Sequence, residues 1–98
     1  MRRDEAIAKL KASEDAIRAL GATSLYLYGS TARDEANLIS DVDVFIEYDK
    51  SKRFSLFELV GIKQALEDSL NAEVDVATRD GLHPVLKKRI ERSAIRVF

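Results

Sequence analysis

One segment of this chain alternates between apolar and mostly acidic side chains. Its even-numbered positions are apolar or aromatic: Val42, Val44, Ile46 and Tyr48. Its odd-numbered positions begin with two acids: Asp41, Asp43, Phe45 and Glu47. Because successive side chains of a strand point to opposite faces, this pattern predicts a β-strand with one face in the core. The other face begins with carboxylates.

Apolar spacing and turn residues predict the remaining elements. They are a helix over Asp4–Leu20 ended by Gly21, a strand over Thr23–Tyr28, a brief helix from Ser30 or Thr31 to about Ala36, a helix over Phe54–Leu70 ended by Asn71, a strand over Glu73–Ala77, a helix opened by Pro84, and a final strand or docked tail over Ala94–Phe98. Helices that alternate with short strands predict a small α/β or α+β sheet with helices packed on it.

Length and charge restrict the class of protein. With 98 residues, of which 46% are apolar, we expect one domain over residues 1–98. Sixteen basic against seventeen acidic residues give a net charge of -1, which disfavours direct nucleic-acid binding. The chain has no Cys, so thiolate chemistry is excluded and a cytoplasmic location is expected. Neither a signal peptide nor a membrane span is predicted.

A glycine-serine pair precedes the acids at a fixed distance. After Gly29 and Ser30, ten residues intervene before Asp41 and Asp43, and Asp75 lies in the next predicted strand. Alternate positions of a strand share a face, so the Cα atoms of Asp41 and Asp43 are expected about 6.5 to 7 Å apart. Carboxylates at this separation can surround a pair of divalent ions, and hard oxygen ligands favour magnesium or manganese. The alternative is a plain solvent-facing side of a half-buried strand.

The turn at Gly29 is a candidate phosphate site. Glycine permits a sharp turn and a close approach of the backbone to a ligand. Ser30 can donate to a phosphate oxygen or, alternatively, serve as an ordinary helix cap. Arg33 lies one helical turn further on and can reach the same anion, or remain a solvated surface residue.

These residues together resemble the signature of a known superfamily. Gly-Ser, about ten residues, Asp-x-Asp and a third Asp on a later strand are similar to the nucleotidyltransferases with a DNA polymerase beta-like core. Residues 29–44 and the Leu82-His83-Pro84 tripeptide most resemble the minimal nucleotidyltransferases, or MNT proteins, which act as antitoxins beside HEPN-domain toxins.

The resemblance implies a mixed sheet that carries the acids, two Mg²⁺ ions, ATP as co-substrate and transfer of AMP to a hydroxyl group. It assigns the metal-binding and catalytic carboxylates to Asp41, Asp43 and Asp75, and nucleotide binding to Gly29, Ser30 and Arg33. Asp75 would complete the site that activates the acceptor hydroxyl and take its proton.

The resemblance also implies a partner. The expected acceptor is a hydroxyl, foremost that of a Tyr, on a HEPN-type toxin, within a type VII toxin–antitoxin pair that forms a hetero-oligomer. Since so short a chain has little left to enclose an acceptor, we expect the partner to supply most of that site. Phe54 and Phe57 are candidates for an apolar contact patch, with core packing expected for at least one of them.

Two other functions stay open at this point: an antitoxin that neutralises its partner by binding alone, and a nucleotidyltransferase acting on small molecules. The only histidine, His83, precedes Pro84 and is interpreted as a helix-entry residue outside the site. The basic stretch from Lys87 to Arg96 either meets an acidic partner or nucleic acid, or is a solvated helix face.

Overall fold

The computed structural model describes residues 2–32 and 42–98, without the side chains of Ser30 and Thr31. The elements are α1 (Arg3–Ala12), α2 (Glu14–Ala19), β1 (Ala22–Tyr28), α3 (Gly29–Ala32), β2 (Val42–Tyr48), α4 (Leu56–Leu70), β3 (Val74–Thr78), a 3₁₀ turn (Arg79–Gly81), α5 (Pro84–Ser93) and β4 (Ile95–Arg96). The predicted residues Arg33 and Asp41 lie outside the described ranges, as does the end of the predicted helix at Ala36.

The four strands form one mixed sheet in the order β3-β2-β1-β4. Strand β1 pairs antiparallel with both β2 and β4, whereas β2 and β3 run parallel. A parallel pair needs a crossover connection, and α4 supplies it. The prediction of a small mixed sheet with packed helices is confirmed.

The first predicted helix is wrong in one respect, because it is interrupted at Ser13. The backbone N–H of Ser13 donates to the Leu10 carbonyl at 3.1 Å, and its Oγ donates to the Lys9 carbonyl at 3.4 Å. A serine that bonds to the preceding turn offers the backbone an alternative to continued α-helix. The chain therefore turns slightly and restarts as α2, whose first intrahelical bond runs from Ile17 N–H to the Ser13 carbonyl.

Helix α4 has defined caps at both ends. Ser55 accepts from the N–H of Phe57, and Glu58 accepts from the N–H of Ser55 at 2.9 Å, which together form a capping box. The helix consequently begins at Leu56 rather than at the predicted Phe54. At the other end Asn71 adopts a left-handed conformation with φ 52°, which confirms the predicted helix stop.

The core lies on one face of the sheet, beneath α1, α2 and α4. Val42, Val44 and Ile46 of β2 face it as predicted, and Leu25 and Leu27 of β1 join them. Helix α4 contributes Ile62, Leu66 and Leu70, all fully buried. The other face of the sheet carries Asp43 and Asp75. It is partly covered by α5, which contacts β1 and α3.

The C-terminal segment is both a short strand and a docked tail. After β4, the N–H of Val97 donates to the Leu25 carbonyl at 2.8 Å, and the Phe98 carbonyl accepts from the N–H of Leu25 at 3.0 Å. The side chains of Val97 and Phe98 are buried in the core cluster. Both alternatives drawn from the sequence therefore describe part of this segment.

Two phenylalanines near the start of α4 have different environments. The ring of Phe54 stacks on that of Tyr48 with centroids 4.6 Å apart and packs against the core. Phe57 is 88% exposed, beside Leu56 and Val60, which are also exposed. This agrees with the expectation of core packing for at least one of the two.

In the described part of the chain, no helix is both long and apolar enough to cross a membrane.

These environments predict unequal effects of truncation on α4. Leu66→Ala should lower the free energy of unfolding by about 2–5 kcal/mol, because it leaves a cavity in a packed core. Phe57→Ala, on the same helix but exposed, should change it by no more than about 0.5 kcal/mol. Urea denaturation measures both values. Equal losses in the two variants would contradict the described packing of α4.

Candidate active site

Three polar side chains form a row across neighbouring strands. In the antiparallel pair Tyr28 of β1 stands opposite Asp43 of β2, and in the parallel pair Asp43 stands opposite Asp75 of β3. Neighbouring strands lie about 4.8 Å apart, and residues directly opposite each other share a face. The two acids, 32 positions apart in the sequence, are therefore adjacent in the fold.

The row lies on the sheet face away from the core. Val42 and Val44, which flank Asp43, are buried beneath the helices, so the Asp43 side chain points to the other side. Asp43 is half-buried and Asp75 is exposed. A ligand from solvent can thus reach the carboxylate pair without any opening of the core.

The electrostatic effect of the pair is evident at Tyr28. Burial raises the pKa of the Tyr28 hydroxyl above its ordinary value, and the negative charges of Asp43 and Asp75 raise it further. Both carboxylates are therefore close enough to the Tyr28 hydroxyl to affect its pKa, and like charges at neighbouring positions repel each other. Oxygen donors of this kind suit a hard divalent ion such as Mg²⁺.

Gly29 brings the backbone against this pair. Its φ is 76°, a left-handed conformation that disfavours any side chain. A Cβ at this position would lie 2.5 Å from Oδ2 of Asp43, too close for any real contact. The structure therefore places the Gly29 backbone against the carboxylate of Asp43, and the close approach to a ligand stays a prediction.

A cavity of about 250 Å³ opens beside this turn. Its lining residues come from the turn and from α5: Tyr28, Gly29, Leu86, Arg89, Ile90 and Ser93. The four α5 residues are spaced i, i+3, i+4 and i+7, so they occupy one helix face. The spacing of this helix face is visible in the sequence, but no local pattern connects it with the Gly29 turn.

Three of the predicted site residues are thus brought together by the described structure: Gly29, Asp43 and Asp75. Ser30 follows Gly29 in α3, and its side chain is not described. Asp41 and Arg33 lie outside the described residues. Within residues 2–32 and 42–98, no three His, Cys, Asp or Glu side chains are gathered as a metal site would need. The described acids form a pair, and their roles remain predictions.

Comparison with known proteins identifies the family. Residues 10–97 match the family model described as a nucleotidyltransferase domain. The chain belongs to this family. The prediction of an enzyme of the nucleotidyltransferase class is thereby confirmed.

Individual relatives refine this assignment. A Methanocaldococcus jannaschii protein, provisionally named a protein adenylyltransferase, is 43% identical over 72 residues, which cover 74% of this chain and 75% of the relative. A solved structure described as a minimal nucleotidyltransferase has a TM-score of 0.83 and 30% identity, covering 97% of this chain and 95% of that one. The resemblance to minimal nucleotidyltransferases is confirmed.

A more distant structure shares the fold. It is a complex of a tri-AMPylated HEPN toxin with its MNT antitoxin from Shewanella oneidensis. The matched chain has a TM-score of 0.65 and 15% identity, covering 94% of the present chain and 71% of its own length.

An arginine attaches α5 to the sheet of this nucleotidyltransferase. Nε of Arg79 donates to Oε2 of Glu91 on α5 at 2.7 Å, and its Nη1 lies 3.3 Å from Oε1 of Glu47 on β2. The guanidinium also lies over the rings of Tyr26 and Phe45, at 5.6 and 5.8 Å from their centroids. These contacts hold the helix that forms one wall of the cavity.

Glu47 and His83 both have structural partners. The buried hydroxyl of Ser24 donates to Oε1 of Glu47 at 2.9 Å, and the hydroxyl of Tyr26 donates to the same atom at 3.3 Å.

His83 is the N-cap of α5, where its Nδ1 accepts from the N–H of Val85 at 3.2 Å. The structure thus supports the interpretation of His83 as a helix-entry residue.

The conformation of Gly29 predicts a cost for any side chain there. Gly29→Ala should destabilise the protein by at least about 1–2 kcal/mol, because an L-residue is disfavoured at this φ and the new Cβ would displace the Asp43 carboxylate. Gly61→Ala is the matched control, because its Cβ would lie 3.4 Å from a Leu20 methyl within ordinary helix. Thermal unfolding should show equal or higher stability for the control. Unchanged stability of Gly29→Ala would contradict the described turn.

The contacts of Glu47 predict a pH-dependent contribution to stability. The hydrogen bond from Ser24, aided by Arg79 and Tyr26, holds the pKa of Glu47 below its ordinary value despite partial burial. Its contribution is therefore present above the unfolded-state pKa and is lost as pH falls through the lower folded-state pKa. Glu47→Gln should be less stable than the wild type at pH 7, and the gap should shrink between about pH 5 and pH 3.

Urea denaturation at about pH 7 and at about pH 3 measures the difference in stability between Glu47→Gln and the wild type. Glu73→Gln is the control, because the Glu73 carboxylate makes no hydrogen bond or ion pair to another described residue. That variant should match the wild type at both pH values. A gap for Glu47→Gln of the same size at pH 3 as at pH 7 would show that the loss comes from packing rather than from charge.

Proposed function

We propose that this nucleotidyltransferase transfers AMP from ATP to a hydroxyl group of a protein acceptor. The observation that carries the proposal is the adjacent placement of Asp43 and Asp75, with the backbone of Gly29 against them. An accessible carboxylate pair beside a glycine turn suits a cation-dependent reaction of phosphates. The adenylyltransferase name of the archaeal relative and the AMP-modified toxin in the distant complex support AMP as the group transferred.

The carboxylates would hold Mg²⁺. Asp43 and Asp75 fit this ion by their chemistry and accessibility, and Asp41, two residues before Asp43, is proposed as the third ligand. When bound, Mg²⁺ supplies positive charge that stabilises the attacking and leaving oxygens. We propose two such ions, as the family resemblance implies.

The residues of the chain position the reactants. Gly29, Ser30 and Arg33 are proposed to bind the phosphates of ATP. Asp75, the exposed member of the acid pair, is proposed to accept the proton of the acceptor hydroxyl as its oxygen attacks the α-phosphorus. The bond from the α-phosphorus to the bridging oxygen breaks, and pyrophosphate leaves. Positioning and electrostatics provide most of the catalysis in such a reaction.

The acceptor is proposed to be a Tyr hydroxyl on a HEPN-type toxin. We propose that residues 1–98 are one domain and form a hetero-oligomer with this toxin. The two proteins would then be a type VII toxin–antitoxin pair. The distant complex supports a HEPN-type partner, because there a HEPN toxin carries AMP beside an MNT antitoxin. We place the reaction in the cytoplasm, where ATP and Mg²⁺ are available. Whether Phe57 contributes to the contact with the toxin remains a prediction.

The acid pair predicts a loss of transfer without a loss of folding. Asp43→Asn and Asp75→Asn should abolish AMP transfer, because each removes a charge that the cation site needs. In metal-free buffer Asp75→Asn should be as stable as the wild type or more so, because repulsion within the pair is relieved. The measurement is the intact mass of a HEPN-type toxin from the same genome after incubation with Mg-ATP, alongside thermal unfolding.

Asp68→Asn is the matched control. Asp68 is exposed on α4, on the opposite side of the sheet, so its removal should leave transfer unchanged. Retention of most of the activity in Asp43→Asn would exclude the carboxylate mechanism. Full neutralisation of the toxin by the wild type with no added nucleotide mass would instead indicate an antitoxin that acts by binding alone.

A further inference from the structure

We infer that Arg89 of α5 binds the triphosphate of the nucleotide donor, opposite the Gly29 turn. The inference rests on the proposed function and assigns a role to a residue outside the Gly-Ser and Asp-x-Asp signature. It concerns the β- and γ-phosphates, the part of ATP that leaves as pyrophosphate.

The cavity provides the first argument. Arg89 and Gly29 line the same space of about 250 Å³, and Gly29 is the residue whose backbone lies against the Asp43 carboxylate. A nucleotide with its α-phosphate near Asp43 can therefore extend its remaining phosphates into this cavity. Among the described residues that line the cavity, Arg89 is the one that carries a positive charge.

The charge of Arg89 provides the second argument. Within the described part of the chain, its guanidinium makes no hydrogen bond or ion pair. By contrast, Arg79 is bound to Glu47 and Glu91, and Nε of Arg92 donates to the Lys88 carbonyl. A free guanidinium has the fork of donors that suits phosphate oxygens.

Electrostatic balance provides the third argument. Asp43 and Asp75 put two negative charges at one edge of the site, and a triphosphate adds several more. A cation across the cavity offsets part of this repulsion at the end of the nucleotide that lies furthest from the acids. The Arg79–Glu91 ion pair holds α5 to the sheet, so the backbone from which the Arg89 side chain extends is in place before the nucleotide binds.

The test compares Arg89→Gln with Arg92→Gln. Both variants remove one positive charge from an exposed residue of α5, but Arg92 does not line the cavity. Calorimetry with Mg²⁺ measures the dissociation constants of AMP-PNP, a non-hydrolysable ATP analogue, and of AMP. Arg89→Gln should weaken AMP-PNP binding by about 10- to 100-fold, as expected for charge-assisted hydrogen bonds. Its affinity for AMP, and both affinities of Arg92→Gln, should change less than about threefold.

The remaining outcomes of the binding and transfer measurements distinguish the role of Arg89 from the proposed function. If the wild type transfers AMP and Arg89→Gln binds AMP-PNP as tightly as the wild type, the role of Arg89 is overturned and the proposed function stands. Equal weakening of AMP and AMP-PNP in Arg89→Gln also overturns it, because the contact then lies nearer the nucleoside. If the wild type neither binds AMP-PNP nor transfers AMP, the proposed function fails and the inference fails with it. Arg89→Lys should recover part of the AMP-PNP affinity, since it restores charge without the fork.

Discussion

The parallel pairing of β2 with β3 is the constraint on which the candidate site depends. Its register sets Asp43 beside Asp75, and it requires the α4 crossover that covers the other face of the sheet. A shift of one residue would turn Asp75 toward the core and Val74 toward solvent. The burial of Val42, Val44 and Val74 on the core face therefore fixes where the carboxylates lie. Hydrophobic packing on one side of the sheet positions the charged groups on the other.

The sheet face that carries Asp43 and Asp75 is stabilised by contacts outside the hydrophobic core. Phe45 is buried on this face, stacked on Tyr26 with centroids 4.7 Å apart, and the guanidinium of Arg79 lies over both rings. The same arginine binds Glu47 of the sheet and Glu91 of α5. A small aromatic and ionic cluster thus holds the last helix close enough to the Gly29 turn to form a cavity between them. The cavity therefore borders the turn whose backbone lies against the Asp43 carboxylate.

Much of the fold could be predicted because local sequence and tertiary packing agree. The alternation in β2, the stop at Asn71 and the helix entry at His83 and Pro84 are all present in the structure. The break at Ser13 was missed, because a single serine within an apolar helical pattern gives only a weak signal. In the sequence Arg89 is part of a basic stretch, and Gly29, which lines the same cavity, is 60 positions away.

The sequence by itself determined which chemical groups are available: a glycine that can adopt a positive φ, acids on strand faces opposite apolar residues, and a family signature that joins them. These follow from local rules, namely side-chain alternation and the conformational freedom of glycine. Only the tertiary structure decided that Asp43 faces Asp75, that Gly29 lies against Asp43 rather than free of it, and that one face of α5 borders the turn. Strand order and helix docking are set by long-range packing, which brings together residues that no local pattern connects.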